Sequence, residues 1–145
     1  MEIKIEQLKT FSENITPEIN SLLTQLDSNP KTLSNKDVQE IIENSSNRFF
    51  VARESINNKI VGMLTLAVLY APSDKKGLFE DVVVDSKYRR LGIGKKLISS
   101  AINKARKEKI RCIDFTSRPE RVEANKLYQH LGFKKRDTYV YRIKI

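Results

Sequence analysis

The sequence has little of the chemistry from which disulfide or metal sites are built. It contains one cysteine, Cys112, and one histidine in 145 residues, so an internal disulfide framework and a multi-cysteine metal site are excluded. No apolar run approaches the roughly 18–20 residues that a membrane-spanning helix needs. No stretch rich in proline, glycine and serine divides the chain, so we expect one domain over residues 1–145.

The first residues also lack the features of a signal peptide. Met1 to Lys4 alternate apolar and polar side chains, which indicates a strand. Together with the single cysteine, this favours a reducing, cytoplasmic environment. Hydrophobic residues make up 39% of the chain, enough to build a core, so global disorder is not expected.

Acidic residues are scarce in the second part of the chain. Residues 1–85 carry 9 basic and 13 acidic side chains, whereas residues 86–145 carry 18 basic and 5 acidic ones. This concentration of positive charge predicts an anionic partner. Nucleic acid, an acidic membrane and a phosphorylated cofactor all satisfy that requirement, so charge alone does not choose among them.

Hydrophobic periodicity predicts an α/β fold in which a mixed sheet carries helices on both faces. Asn57-Asn58 marks a hairpin turn, and residues 71–77 are expected to form a loop. The segment 78–116 is expected to be a right-handed parallel crossover. The predicted strands are residues 2–9, 48–54, 59–70, 78–85, 111–116 and 133–145, and the predicted helices are 17–27, 34–44, 92–109 and 121–131.

Residue types at the ends of the predicted helices indicate how each is capped. Thr16 is the expected cap of the first helix, with Pro17 at its first position. Ser34 or Asn35 is expected to cap the second helix. Gly132 is expected to end the last one, since glycine accepts the left-handed conformation found after many helices.

Two glycines stand between a valine-rich strand and the longest predicted helix. The run Arg89-Arg90-Leu91-Gly92-Ile93-Gly94 ends where that helix starts, and glycine lets a ligand approach the backbone closely. The first N–H groups of a helix lack intrahelical partners, so together with the helix dipole they form an anion site. Lys95 and Lys96 oppose the dipole unless an anion binds. The segment therefore predicts phosphate binding.

Other phosphate-binding motifs do not fit this loop. A Walker A loop ends in Gly-Lys-Ser/Thr, whereas Gly94 is followed here by Lys95 and Lys96. The dinucleotide fingerprint requires a third glycine, and this chain has Leu97 at that position. Both alternatives fail on specific residues.

The run Arg89-x-x-Gly92-x-Gly94 resembles the pyrophosphate loop of the GNAT superfamily of N-acetyltransferases. The segment from Asn125 to Phe133 resembles the family's second signature, a helix with Asn and Tyr that closes in Leu-Gly-Phe. The resemblance implies the acyl-CoA N-acyltransferase fold, a mostly antiparallel sheet with one splayed strand pair. It implies direct transfer of acetyl from acetyl-CoA to a primary amine, without a metal, and a homodimer by analogy.

The resemblance also implies roles for individual residues. An amide of Val82 or Val83 would stabilise the oxyanion. Tyr128 would protonate the leaving thiolate, since a neutral phenol can donate to it. The residues that would bind the cofactor are Val82, Val83, Val84, Arg89, Arg90, Leu91, Gly92, Ile93, Gly94, Lys95, Asn125 and Tyr128.

An amine acceptor must lose a proton before it attacks, so a base is needed. Glu80 and Asp81 are the acids inside an otherwise apolar strand, where burial would raise a carboxyl pKa. Strand alternation predicts that they face opposite sides of the sheet, and we expect Glu80 to be the base. The pair resembles one in glucosamine-phosphate N-acetyltransferases, while a structural ion pair is the alternative.

Other candidate residues have simpler interpretations. Cys112 is expected to be a buried, inert thiol and His130 a solvated residue near a helix end. Thr116, Ser117 and Arg118 end a strand, where they could contact the acceptor or simply form a turn.

Two other functions belong to different classes. A basic nucleic-acid-binding module would use the positive charge of residues 86–145, but no nucleic-acid motif is present. A non-catalytic acyl-CoA sensor would retain the loop without the chemistry. The net negative charge of residues 1–85 favours a cationic amine as acceptor, whose identity the sequence leaves open.

Overall fold

A five-stranded sheet organises the amino-terminal part of the chain. The structure is a computed structural model that describes residues 1–145, which form two units, Met1–Phe115 and Thr116–Ile145. The strands lie in the sheet in their order along the chain; β1 to β4 are antiparallel neighbours, and β5 is parallel to β4. Their bounds are Ile3–Leu8 (β1), Asn47–Glu54 (β2), Ile60–Ala71 (β3), Asp74–Val84 (β4) and Ile113–Asp114 (β5).

Four α-helices confirm the helical periodicity to within a few residues at each end. None of them combines the length and apolar character needed to cross a membrane. They are Ile15–Leu26 (α1), Asn35–Glu43 (α2), Ile93–Lys107 (α3) and Val122–His130 (α4), with a short 3₁₀ helix at Ser86–Tyr88.

The predicted start of α1 is wrong by two residues. The helix begins at Ile15, Asn14 occupies the cap position, and Thr16 is buried in the first turn with its hydroxyl unpaired. Pro17 is still tolerated there, because the N–H that proline lacks would have had no intrahelical acceptor in the first turn. Pro17 therefore correctly indicated the first turn of α1, but it did not indicate the residue at which the helix begins.

The predicted capping of α2 by Ser34 is confirmed. The Asp37 N–H donates to Ser34 Oγ at 3.1 Å, and the Ser34 N–H donates to Asp37 Oδ2 at 2.9 Å. This reciprocal capping box satisfies two donors that helix geometry leaves unpaired.

The expected loop over residues 71–77 is wrong, because most of it belongs to β4. Asp74 pairs with Ala71 and Gly77 pairs with Val68, which leaves only two residues in the turn. Glycine at position 77 leaves room for the side chain of Leu66, since a Cβ at this position would lie 2.7 Å from Leu66 Cδ1. Glycine in a strand often marks such a close approach, which its turn propensity conceals in the sequence.

Helices cover both faces of the sheet. α1 and α2 pack on the face that includes Val51 and Met63. α3 covers the opposite face, where Leu97 Cδ1 lies 3.1 Å from the position a Cβ would take on Gly62. Neighbouring residues on β3 thus serve different layers, as strand alternation requires. The buried residues of α3 are Ile93, Leu97, Ile98, Ala101 and Ala105.

α3 connects β4 to the parallel strand β5, as predicted for the crossover. Its carboxyl-terminal end is held by Arg48 of β2, which donates to Glu108 Oε2 at 2.8 Å and to Oε1 at 2.6 Å. The Arg48 hydrogen bond holds the pKa of Glu108 below its ordinary value. Two parallel bonds to one carboxylate also fix direction, so this pair sets where α3 ends against the sheet.

The predicted strand or hairpin over residues 133–145 is absent, and β5 is shorter than predicted. α4 ends as expected at Gly132, whose φ is +97°, and the Phe133 N–H donates to the Tyr128 carbonyl at 3.0 Å. Beyond it, Tyr139 and Tyr141 are among the most exposed residues. Their β propensity reflects fit to a packed, pleated surface, so alternation alone does not produce a strand.

The turn between β2 and β3 is organised by the carboxylate of Glu54. It accepts N–H bonds from Ile56 at 2.9 Å, Asn57 at 2.8 Å and Lys59 at 3.3 Å. Glu54 is 1% exposed. Burial acts to raise the pKa of its carboxyl, but the backbone hydrogen bonds outweigh burial and leave the pKa below its ordinary value of 4.5.

We predict that Glu54→Gln lowers the free energy of unfolding at about pH 7, and that the deficit shrinks as the pH falls below 4.5. A lowered folded-state pKa stabilises above the unfolded pKa, and that stability is lost on protonation. Urea denaturation at about pH 7 and about pH 3 would measure both values. Glu13→Gln at an exposed position is the control; an equal deficit for Glu54→Gln at both pH values would contradict the prediction.

Candidate active site

The sheet opens along β4. Pairing between β4 and β5 is confined to Gly77 with Ile113 and Leu78 with Asp114, although β4 continues to Val84. On that side the last residues of β4 have no strand partner. Backbone groups in this position must meet solvent or a ligand, so the expected splayed pair is present and forms an open edge.

A bulge interrupts β4 at the same place. Met63 pairs with Val83 and Thr65 pairs with Glu80, so Asp81 and Val82 together oppose one residue of β3. Asp81 has a φ of +52°, in the left-handed region. Outside glycine this conformation costs roughly 1 kcal/mol. Bulges and strained residues of this kind concentrate at functional sites.

The bulge changes which way the two acids point. Residues that pair across strands share a face, so Glu80 lies on the face of Thr65. Thr65 and Asp81 line the same cavity between the sheet and helices α1 and α2. The prediction that Glu80 and Asp81 face opposite sides is therefore wrong, because the extra residue resets the alternation.

The cavity beside the bulge is small and mostly apolar. Its volume is about 40 Å³. Asp81 and Glu80 are both exposed residues. Partial desolvation beside the cavity nevertheless raises the pKa of the Asp81 carboxyl. The lining consists of Ile19, Leu23, Leu33, Val38, Ile41, Ile42, Phe49, Met63, Thr65 and Asp81.

The hydrogen-bond pattern of β4 determines which amides face the open edge. The Asp85 N–H donates to the Val61 carbonyl at 2.8 Å, so Gly62 with Val84 is a non-hydrogen-bonded pair. The next pair, Met63 with Val83, is then the hydrogen-bonded one, and the Val83 N–H points toward β3. The backbone groups of Val84 face the open edge instead, and the Val84 carbonyl accepts a hydrogen bond from Arg89 Nε at 3.3 Å.

The loop that follows β4 leads into an uncapped helix. Arg90 and Gly92 have φ values of +63° and +76°, and no side chain caps α3. The first intrahelical bond runs from the Lys96 N–H to the Gly92 carbonyl at 3.1 Å. The N–H groups of residues 93–95 thus have no intrahelical acceptor, as expected of an anion site.

The charges around this helix start all have one sign. The side chains of Arg89, Arg90, Lys95 and Lys96 are exposed, and the first turn of α3 has no acidic residue. Cations at a helix amino terminus are each unfavourable by roughly 0.3–1 kcal/mol. The arrangement destabilises the free protein slightly and favours a bound anion.

In the second unit, α4 carries Tyr128 as its buried residue. Tyr128 is 6% exposed, and its ring meets that of Phe133 edge-on, with centroids 6.3 Å apart. Burial raises the pKa of the phenol, and the positive charge of Arg121 together with a hydrogen bond from its side chain opposes the rise. The hydroxyl therefore stays protonated and has a defined partner.

Comparison with known proteins agrees with this geometry. A model of the acetyltransferase (GNAT) family matches residues 17–133. The chain belongs to the GNAT family of acetyltransferases. The match includes both the loop before α3 and the α4 segment on which the resemblance was based.

Solved structures share this GNAT fold over nearly the whole chain. An acetyltransferase from Trypanosoma brucei is 23% identical with a TM-score of 0.81, covering 99% of this chain and 100% of the other. Glucosamine-6-phosphate N-acetyltransferase from Arabidopsis thaliana is 20% identical with a TM-score of 0.82 and 99% coverage of both chains. An aminoglycoside N-acetyltransferase in complex with CoA is 19% identical with a TM-score of 0.80, covering 99% and 95%.

Several residues singled out in the sequence have other roles in this GNAT structure. Asn125 Nδ2 donates to the Arg118 carbonyl at 3.0 Å, so its oxygen and its second amide N–H remain for a ligand. Cys112 is exposed; the expected burial is wrong because β5 begins after it and is only two residues long. His130 is exposed, as expected.

Sequence reasoning missed the partner of Tyr128. Arg121 precedes Tyr128 by seven residues, about two helical turns, which places both on one side of α4. That spacing was a usable signal. The bulge with a left-handed residue at Asp81 had no signal in the sequence, because aspartate occurs both at the ends of regular strands and in turns.

Proposed function

We propose that this GNAT acetyltransferase moves acetyl from acetyl-CoA to a primary amine. The observation that carries the proposal is the uncapped, cationic start of α3 immediately after the open edge of β4. When bound, acetyl-CoA supplies acetyl as a thioester, whose C–S bond breaks as the C–N bond forms. The amine's proton passes to a carboxylate, and the sulfur receives a proton from a phenol.

The residues at the helix start fit a pyrophosphate group. The N–H groups of residues 93–95 lack intrahelical acceptors, and Arg90 and Lys95 add positive charge. Helix amino termini with free N–H groups are suited to phosphate. The open backbone edge of Val82 to Val84 fits an extended chain that carries amides, since such a chain can pair as an added strand.

The pattern of β4 favours Val82 as the donor that stabilises negative charge on the acetyl oxygen. Val82 belongs to the bulge and has no partner on β3, whereas the Val83 N–H is directed toward Met63. A donor that is already oriented contributes most to such stabilisation. Val84, whose backbone faces the open edge, would then pair with the pantetheine arm, whereas the backbone of Val83 is already paired with Met63.

Asp81 is favoured over Glu80 as the base. Asp81 lines the cavity, and desolvation raises the pKa of its carboxyl, which brings a carboxylate closer to the strength a base needs near neutral pH. Glu80, the base expected from sequence, lies on the same face but does not line the cavity.

Tyr128 is proposed as the acid. Its raised pKa keeps the phenol protonated, and the Arg121 hydrogen bond orients the hydroxyl. A positioned donor of this kind typically contributes 10²–10⁴-fold to the rate of a proton-coupled step. Arg121 acts through Tyr128 and is a positioning residue.

We predict opposite effects of the double change Lys95→Ala with Lys96→Ala on stability and on affinity. Removing two cations from the first turn should stabilise the free protein by a few tenths of a kcal/mol per residue. The same change should weaken acetyl-CoA binding by about tenfold. Thermal unfolding and titration calorimetry measure the two quantities.

Lys104→Ala with Lys107→Ala, in the last turn of the same helix, is the matched control. It removes cations that favour the dipole, so it should destabilise the protein and leave acetyl-CoA affinity unchanged. Absence of acetyl-CoA binding to the unmodified protein, with salt-sensitive binding to DNA or RNA instead, would overturn the proposed function.

We predict that Tyr128→Phe lowers kcat about a hundredfold or more while acetyl-CoA affinity changes less than twofold. The change removes only the donor and keeps the ring beside Phe133. An assay of thiol release at saturating amine measures kcat, and titration calorimetry measures acetyl-CoA affinity. Tyr70→Phe at an exposed site is the control; equal losses in kcat and affinity would exclude the acid role.

We predict that Asp81→Asn reduces kcat/KM more than Glu80→Gln does, by about a hundredfold against a few-fold. Asparagine tolerates the left-handed conformation, so the bulge should persist. The raised pKa places the acidic limb of the wild-type pH–rate profile above the ordinary carboxyl range, and Asp81→Asn should remove that limb. The reverse ranking of the two variants would restore Glu80 as the base.

A further inference from the structure

The cavity between α1, α2 and the bulge carries information about the acceptor, beyond the class of reaction. We propose that it holds a short aliphatic group attached to the acceptor amine and that it excludes acceptors with an anionic group near the nitrogen. This inference rests on the proposed function, since it concerns the substrate of the same site.

The lining of the cavity has no cation. Apart from Thr65 and Asp81, every lining side chain is apolar, and none is Lys, Arg or His. A phosphate or carboxylate placed there would lose its hydration without gaining a counter-ion, which is strongly unfavourable. An aliphatic group loses nothing on leaving water for this surface.

The one charge in the lining sets the orientation of the acceptor. Asp81 attracts an ammonium group, and its carboxylate can accept the proton that the amine must lose. The amine therefore lies at the bulge, and its substituent extends toward Ile41 and Met63. An amine with an apolar tail matches both ends of this arrangement.

The volume limits the length of the tail. A water molecule needs roughly 10–15 Å³ of cavity measured in this way, so about 40 Å³ accommodates about three or four non-hydrogen atoms. Each methylene transferred from water to an apolar site improves binding roughly fourfold. The gain should stop once the cavity is full.

The first test is a series of linear amines from ethylamine to hexylamine, assayed by thiol release with saturating acetyl-CoA. We expect kcat/KM to rise roughly fourfold per methylene and to level off near butylamine. Three polar amines test whether the cavity rejects polar groups. With 3-aminopropanol we expect at least a tenfold loss relative to butylamine, since a buried hydroxyl would be unpaired; β-alanine and glucosamine 6-phosphate should be poorer still.

A pair of variants tests whether the aliphatic group of the acceptor lies in this cavity. Ile41→Ala removes three carbons from the partly buried wall of the cavity, and it should move the optimum toward hexylamine. Gln39→Ala on the exposed side of α2 should leave the chain-length profile unchanged. Calorimetry with acetyl-CoA checks that both variants still bind the donor.

A second readout is independent of turnover. The chain has two methionines, and Met63 lines the cavity at 2% exposure. With ¹³C-methyl methionine labelling, butylamine should shift the Met63 resonance saturably and leave Met1 unchanged. The same concentration of β-alanine should shift neither.

The possible results separate the two proposals. Acetyl transfer that ignores chain length or prefers anionic amines, without a Met63 shift, overturns the cavity assignment and leaves the acetyltransferase function standing. A Met63 shift with butylamine, but no acetyl-CoA binding and no thiol release, supports the cavity and overturns the proposed function.

Discussion

The constraint on which the rest of this structure depends is the departure of β4 from β5. Pairing ends at Leu78 and Asp114, and the bulge at Asp81 and Val82 follows within four residues. Together they leave one backbone edge open and direct two carboxylates to one face. A regular sheet would satisfy every amide of β4 and leave no edge for an extended ligand, so the proposed function requires that strand pairing end here.

The start of α3 combines features that lower its stability in the free protein and fit the proposed anion site. Its first N–H groups are uncapped, and Lys95 and Lys96 stand where acidic residues would stabilise the helix. The capping box of α2 shows that the same chain caps a helix well where no ligand is expected. The contrast between two helices of one unit is stronger support for an anion site than either helix alone.

Local chemistry predicted much of this architecture. The periodicity of apolar residues located four helices, Ser34 located a cap, and Gly92 located the loop before α3. The secondary-structure predictions were wrong where contacts with residues distant in sequence determine the conformation. Gly77 was expected in a loop, yet it lies in a strand because Leu66 packs where its Cβ would be. Residues 133–145 alternate like a strand without forming one, because β structure requires a neighbouring backbone to pair with.

The sequence by itself determined the loop proposed to bind an anion, since free N–H groups and glycine conformations follow from a few adjacent residues. It also determined the family, through that loop and the segment from Asn125 to Phe133. Only the tertiary structure decided which acid lines the cavity and how apolar that cavity is. The reason is physical: one inserted residue reverses the alternation of a strand, and the surroundings that raise the pKa of Asp81 come from helices and strands distant in sequence.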